Sequence, residues 1–491
     1  MFKYLDDDIV DLRLDNGATW QYYWGDKLVV TAAEPRRLRV EFHGLKGKID
    51  EGFISSKTRL RDTPILKMSM VDVQQGDGLI LETPQGKILT IDGGDNALFA
   101  RHFAFRFRGS TAADPVIVDA MIVTHGDADH FSGLSELRKS ETDIRPGKGV
   151  FVAPKRYYHN GMVKRPIKDG SRKRTETEML GPTTTEKGNV YVTGLVDDIA
   201  DVPLAERNKN FAEWTDTLAA WEPRALAATG KPIERRRIDQ HATDAFDFLA
   251  DESITVDVLG PISHPTAAGP GLEYLGAPPD DADLMNGLKP TAKRGSPSAS
   301  HTINGHSIGF RLRYGNVRFM MTGDMNQQAM ERMRLALPDA ALRAEILKTP
   351  HHGSADFDLE FLREVGPVVS LISSGDESEA KEYIHPRATL VTALGKASRT
   401  TPSILFCTEL AAFFAYRGFV AVPGHPKGGF YAFERTNYGI AHIRTDGSRV
   451  LAFTHSGKQG MNEAYSFTVS STGDVVFAGA VTKQSAPKAA P

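Results

Sequence analysis

Thr124-His125-Gly126-Asp127-Ala128-Asp129-His130 gathers two imidazoles and two carboxylates within six residues, straight after an apolar run. Asp119 to Thr124 reads as a buried strand carrying Ala120, Met121, Ile122 and Val123, and Ser132 offers an N-cap for a helix through Leu134 and Leu137. The four polar groups then sit on the turn at the carboxyl end of a strand, where open sheets bind their ligands. Mixed imidazole and carboxylate donors suit zinc, manganese or iron, whereas calcium and magnesium sites are normally all oxygen. The competing reading is a solvated acidic loop with incidental histidines, but charges beside a buried strand need partners.

Downstream, three more apolar runs end in polar groups. Arg318 to Thr322 stops at Gly323-Asp324, Ile346 to Thr349 leads through Pro350 into His351-His352-Gly353-Ser354, and Val368 to Ile372 precedes a loop reaching Tyr383-Ile384-His385-Pro386. Upstream stand Met70-Val71-Asp72-Val73-Gln74-Gln75-Gly76-Asp77 and Ile91-Asp92-Gly93-Gly94, and between lies Asn304-Gly305-His306-Ser307 before the run Ile308 to Leu312.

Taken in order, these elements resemble the metallo-β-lactamase fold, in the branch found in the C-terminal domain of the competence DNA-uptake channel protein. The likeness runs from about Leu66 to Pro386. Gln74 stands where that branch usually has glycine, and Asp127 takes the fold's second-histidine position, as in the branch. The resemblance implies an α/β, four-layer αββα sandwich with two divalent ions, zinc or manganese, at one edge. His125 and Asp127 would serve one ion, Asp129 and His130 the other, and Asp324 would bridge them. His351, which ends a strand and precedes His352-Gly353, most resembles the final ligand. His385 is either a ligand or a donor to the scissile phosphate and leaving group. Asp129, His385 and Asp77 are the candidates for the chemical step, while Asp77 and Asp92 also suit a role orienting ligands and water. Asp92 equally fits a cap on the Gly93-Gly94 turn. Asn304, His306 and His301 all lie near the fold's third metal motif, Asn304 being the nearest match. His306 is either a substrate contact or a hydrogen-bonded structural histidine.

With 491 residues, 41% of them hydrophobic, the chain is long enough for a large core and more than one domain. Residues 1–63 read as short strands, Ile9 to Leu14, Trp20 to Trp24, Lys27 to Thr31 and Leu38 to Phe42, separated by turns such as Asn16-Gly17 and Gly25-Asp26. A small SH3-like β domain that binds a protein partner is one expectation; an extra sheet packed on the hydrolase is the other. The hydrolase domain is expected over 64–455, a β extension over 456–482 and a disordered tail over 483–491. An insertion at about 155–250 opens with Lys155, Arg156, Lys164, Arg165, Lys168, Arg172, Lys173 and Arg174, opposed locally by Asp169 and interleaved with Tyr157, Tyr158 and His159. It suits contact with a phosphate backbone, or else a solvated loop. Phe211 to Trp221 and Ala242 to Leu249 read as helical, Pro265 to Ser300 as an irregular rim loop, Ser403 to Phe414 as a strand and helix, and Tyr438 to Thr454 as a hairpin.

A net charge of −3 excludes a general nucleic-acid binder. Cys407 is the lone cysteine, so no intramolecular disulfide forms and a cytoplasmic setting is expected. Neither a signal-like start nor a membrane-spanning run is evident. The leading expectation is a dinuclear phosphodiesterase or nuclease acting through a metal-bound hydroxide. The alternatives are a carbon-ester, lactone or lactam hydrolase, and a regulatory protein that retains metal for its fold.

Overall fold

The computed structural model describes residues 1–278, 295–375, 385–421, 429–437, 439–455 and 463–487; of the Glu409–Ala421 and Gly429–Asn437 strands only the backbone path is described beyond Glu409. The chain is a mixed α/β protein with three large sheets, two of which share a core. The first has ten strands, in the order Glu234–Arg237, Arg156–His159, Ala120–Ile122, Ile88–Asp92, Gly78–Glu82, Leu66–Met70, Ile440–Thr445, Arg449–His455, Ala464–Val469 and Val475–Phe477. The second has six: Ile254–Gly260, Gly309–Tyr314, Val317–Met321, Ile346–Lys348, Val369–Ile372 and Ile404–Cys407.

Period-two alternation assigns the two faces of each strand to different cores. Leu66, Met68, Met70, Leu79, Leu81, Leu89, Ile91 and Ile122 meet Phe310, Leu312, Phe319, Met321, Ile346 and Leu371 in one buried cluster shared by both sheets. The opposite side of the first sheet, through Ile80, Ile88, Met121 and Tyr157, packs on Phe99 and Phe103 of the Leu98–Arg106 helix, Phe131 and Leu134 of the Ala128–Ser140 helix, and Trp214 and Trp221 of the Lys209–Thr229 helix. Met320, Leu347 and Ile372 on the far side of the second sheet pack on the helices Gln327–Ala336, Leu359–Val365 and Ala388–Ala397. Strands at the centre of each sheet run parallel, Ile88–Asp92 beside Ala120–Ile122 and Val317–Met321 beside Ile346–Lys348. Their carboxyl ends therefore deliver Asp92, His125, Asp324 and His352 to one edge.

Residues 3–61 form an eight-stranded sheet completed by Lys483–Gln484 from the chain's other end, which pairs parallel with Ile9 and Val10. The strand path begins at Thr19–Tyr23 and ends at Leu60–Arg61, with no pairing between those ends. One expectation changes here. Lys483 and Gln484 are ordered by backbone pairing, and of the expected disordered tail 488–491 lie outside the described residues. The sheet packs on the ten-stranded sheet through Ile9, Tyr23, Trp24, Ile65, Leu451 and Phe453. Arg444 reaches the Trp24 carbonyl at 2.6 Å and Asp26 at 2.9 Å, a buried link that ties it down further.

Other readings shift as well. Helix Ala128–Ser140 starts four residues before the expected cap, with Asp127 at the N-cap position and Ser132 inside the helix. Ala242 to Leu249 gives turns and a short 3-10 segment, Asp247–Glu252. Glu409–Ala421 is a strand where a helix was expected. The rim loop holds a hairpin, His264–Thr266 with Gly269–Glu273, and a helix, Ala299–Gly305, while 279–294 lie outside the described residues. No helix among the described residues is long and apolar enough to cross a membrane.

Candidate metal centre

Three histidines are oriented from behind so that each presents Nε2 to a common point. His130 Nδ1 donates to Asp92 Oδ2 at 2.8 Å, and Asp92 also accepts from Thr124 N at 2.8 Å and Thr124 Oγ1 at 2.7 Å. His352 Nδ1 donates to the Ser373 carbonyl at 3.2 Å. His125 Nδ1 lies 3.1 Å from Thr124 Oγ1 and 3.3 Å from Ser307 Oγ. Such partners fix the tautomer and ring direction of ligating histidines.

The carboxylates close the arrangement. Asp324 Oδ2 is 3.2 Å from His130 Nε2 and 3.0 Å from His352 Nε2, and Asp129 Oδ2 is 3.6 Å from His352 Nε2. Among the described residues four overlapping triads are close enough to hold an ion: His125, His130, Asp324; Asp129, His130, His352; Asp77, Asp324, His352; and Asp77, Asp92, His130. Each contains His130 or Asp324, so they describe one centre.

Local backbone geometry supports the same edge. Gln74, Asp92, His351 and His352 all have positive φ, at 63°, 57°, 46° and 51°. Left-handed conformation at non-glycine residues costs about 1–3 kcal/mol each and concentrates at functional sites. Gly323, with φ of 51°, has no room for a side chain: a Cβ there would lie 2.7 Å from Ser307 Oγ, whose hydroxyl accepts from Asp324 N at 2.9 Å.

The centre packs buried imidazoles and carboxylates against one another. Burial opposes charge on His130, yet Asp324 and Asp92 hold its imidazole well above the ordinary value; His352 is raised against burial by Asp324, Asp129 and Asp77. Burial would lift Asp324 and Asp129, but the facing imidazoles hold both below the usual carboxylate range. His125 is pushed well below its ordinary value by burial and by His130. The buried atoms His125 Nε2, His130 Nε2, His352 Nε2 and Asp324 Oδ1 lack a hydrogen bond. These imidazole and carboxylate groups could hold a divalent ion, which would displace the imidazole protons.

Of the sequence candidates, His125, Asp129, His130, Asp324, Asp77, Asp92 and His352 converge. His351 enters none of these groups, its side chain 21% exposed and its Nε2 3.9 Å from Asp324, whereas His352 enters two of them. Both residues have left-handed backbone, and their rings lie 6.0 Å apart. Asp127 faces Lys164, which donates to Oδ1 at 2.5 Å. His385 stands at the rim, its ring 6.1 Å from that of His351, and burial pushes its pKa down to about 3, so the neutral form prevails near pH 7. The preceding Tyr383 and Ile384 lie outside the described residues. His306 donates from Nε2 to the Glu273 carbonyl at 2.8 Å and is buried away from the centre.

Lys348 escaped the sequence reading. Its ammonium contacts Asp77, lies 3.7 Å from Asp324 Oδ1 and donates to the Gly323 carbonyl at 2.9 Å. Its signal was a lysine inside a run otherwise fully buried, Ile346-Leu347-Lys348, since such a charge needs a partner. Gln75, donating from Nε2 to Asp129 Oδ2 at 3.1 Å, was hidden in the same way inside a loop motif.

The basic insertion behaves differently from expectation. Arg174 is buried and pairs with Glu206 at 2.9 Å, Arg165 pairs with Glu206 at 2.7 Å, and Arg172 with Glu178 at 2.9 Å. Tyr157 and Tyr158 are buried in the cores. Glu178, Glu206 and Glu234 from later in the chain pair with its four arginines, Asp119 and Asp127 from earlier pair with Lys155 and Lys164, and its aromatics are not available for base stacking.

Comparison of the chain with protein-family models and with curated proteins gives no match.

Proposed function

We propose that this protein is a metal-dependent hydrolase of the metallo-β-lactamase type, acting on phosphodiesters. The observation that carries the reading is the convergence of His130 Nε2, His352 Nε2, Asp129 Oδ2 and Asp324 Oδ2 at the carboxyl ends of parallel strands from two face-to-face sheets. Two sheets around one shared core, with helices outside each, agree with a four-layer αββα sandwich. The ordered motifs from Asp77 to His385, which resemble the DNA-uptake branch of that fold, add the substrate class.

When bound, a divalent cation of this kind lowers the pKa of water toward 7 and stabilises charge developing on an oxygen. The chain's own residues do the rest. Asp92, Thr124, Ser307 and Ser373 hold the three imidazoles in place, and Lys348 keeps the neighbouring Asp77 ionised against its burial. Gln75 orients Asp129. His385, neutral near pH 7, suits hydrogen bonding to substrate oxygens at the rim better than delivery of a proton.

A metal-supplemented panel of phosphodiesters, phosphomonoesters, nucleic acids, carbon esters and a β-lactam tests this reading. Turnover of a small phosphodiester that needs added manganese or zinc is the expected result. Turnover confined to carbon esters or lactams would move the assignment to the other hydrolase class, and metal binding without any turnover would favour a regulatory role.

A further inference from the structure

Both oxygens of Asp127 are already engaged. Lys164 Nζ donates to Oδ1 at 2.5 Å, and the Asn304 amide, its nitrogen turned toward Asp127, donates to Oδ2 at 2.8 Å and to the Ser300 carbonyl at 3.1 Å. Asp127 enters none of the ion-competent triads among the described residues, although it lies between His125 and Asp129 in the same motif. His125 Nε2 is grouped with His130 and Asp324, so it turns toward the same centre as the other imidazoles.

Lys164 is a placed residue rather than a wandering surface lysine. Val163 before it is buried, its own carbonyl accepts from Asn208 N at 3.1 Å, Arg165 N donates to the Met179 carbonyl at 2.9 Å, and Arg165 pairs with Glu206. The insertion thus holds one ammonium over the metal motif while its arginines are spent on internal carboxylates.

We propose that the chain binds one catalytic cation, through Asp129, His130, Asp324 and His352 with His125 beside them, and that the Lys164 ammonium occupies the position at Asp127 where a second metal would bind. This rests on the metal-dependent reading above and narrows it to a mononuclear centre. An ammonium neutralises Asp127 and repels a second dication, so its removal frees a carboxylate next to His125. It has three donors, of which Asp127 takes one, so Lys164 also provides a hydrogen-bonding cation for a substrate oxygen at the rim.

Metal stoichiometry tests the proposal without recourse to activity. The full chain, stripped by chelator and dialysed, is titrated with Mn²⁺ by calorimetry, and its zinc content is measured by elemental analysis after loading. The expected result is one tight equivalent in the wild type and in Lys164→Arg, with a second equivalent gained in Lys164→Ala that binds about tenfold or more tighter than any residual second site in the parent. Two tight equivalents in the wild type, or an unchanged single equivalent in a Lys164→Ala protein whose circular dichroism matches the parent, would overturn it. The wild-type count stands even if the variant fails to fold. Absence of any tight metal would sink the hydrolase reading itself, whereas two metals would sink only the mononuclear assignment.

Discussion

His352 Nε2 lies 3.0 Å from Asp324 Oδ2, while the adjacent His351 sits 3.9 Å from the same oxygen with a side chain partly open to solvent. The pair divides two roles that a bare His-His-Gly sequence leaves open. His352→Ala should weaken metal binding by about 100-fold or more, since a complete imidazole ligand is lost, and His351→Ala should leave it within a factor of about three. Calorimetric titration of both variants with Mn²⁺ checks this, and equal losses would refute the division.

Lys348 and Asp77 form an ion pair at 2% and 1% side-chain exposure. Breaking such a pair from one side leaves a buried charge uncompensated, so Lys348→Met should cost about 3–5 kcal/mol of stability in metal-free protein. Urea unfolding measures the loss. A variant as stable as the parent would show that Asp77 does not depend on the ammonium.

The loop before Asp77 touches the metal motif directly. A Cβ on Gly76 would lie 1.7 Å from the Asp129 carbonyl oxygen, and the residue's φ is 99°. Gly76→Ala must therefore displace the first turn of the Ala128–Ser140 helix, with lower metal affinity and a lower melting temperature. Gln74, at φ of 63°, is the reverse case: Gln74→Gly relieves left-handed strain and should raise stability by about 0.5–1 kcal/mol, net of the chain entropy that glycine adds. Thermal melts of the two variants should move in opposite directions.

Acid should destabilise the fold through histidines buried neutral. His159 donates from Nε2 to the Asp197 carbonyl at 2.8 Å and accepts from Gly161 N at Nδ1, so protonation breaks a hydrogen bond; burial lowers its pKa to about 4, and that of His306 to about 3. With folded values below the ordinary 6.5, the unfolded chain binds more protons in between. Their contribution is complete above about pH 6.5 and falls by up to about 1.4 kcal/mol per group per pH unit as pH drops toward the folded values. His130 and His352, raised in the metal-free protein, act in the opposite sense: their contribution is present below about pH 6.5 and lost as pH rises through their folded values. Comparison of His159→Gln with the parent isolates one group, and the variant should lose less stability between about pH 7.5 and about pH 5. Parallel pH profiles would contradict the assignment.

The sequence by itself determined many of the strands and several of the residue types at the edge. Alternation in Leu66-Lys67-Met68-Ser69-Met70 and the apolar run at Ala120 to Val123 are local patterns, and both are strands in the structure. The residue types His125, Asp129, His130 and Asp324 were legible because polar groups at the ends of buried runs need partners. What only the tertiary structure decided are relations between segments far apart in the chain. Which histidine of His351-His352 faces inward depends on the backbone path, left-handed at both residues; what neutralises Asp127 depends on an insertion that brings Lys164 from 37 residues away; and Arg172 and Arg174 of that insertion pair with Glu178 and Glu206. The N-terminal sheet is likewise completed by Lys483 and Gln484 from the other end of the chain. Periodicity records which face of an element is buried, but ion pairing and ligand direction are set by the three-dimensional path, because Coulomb and hydrogen-bond energies depend on distance in space and not on separation in sequence.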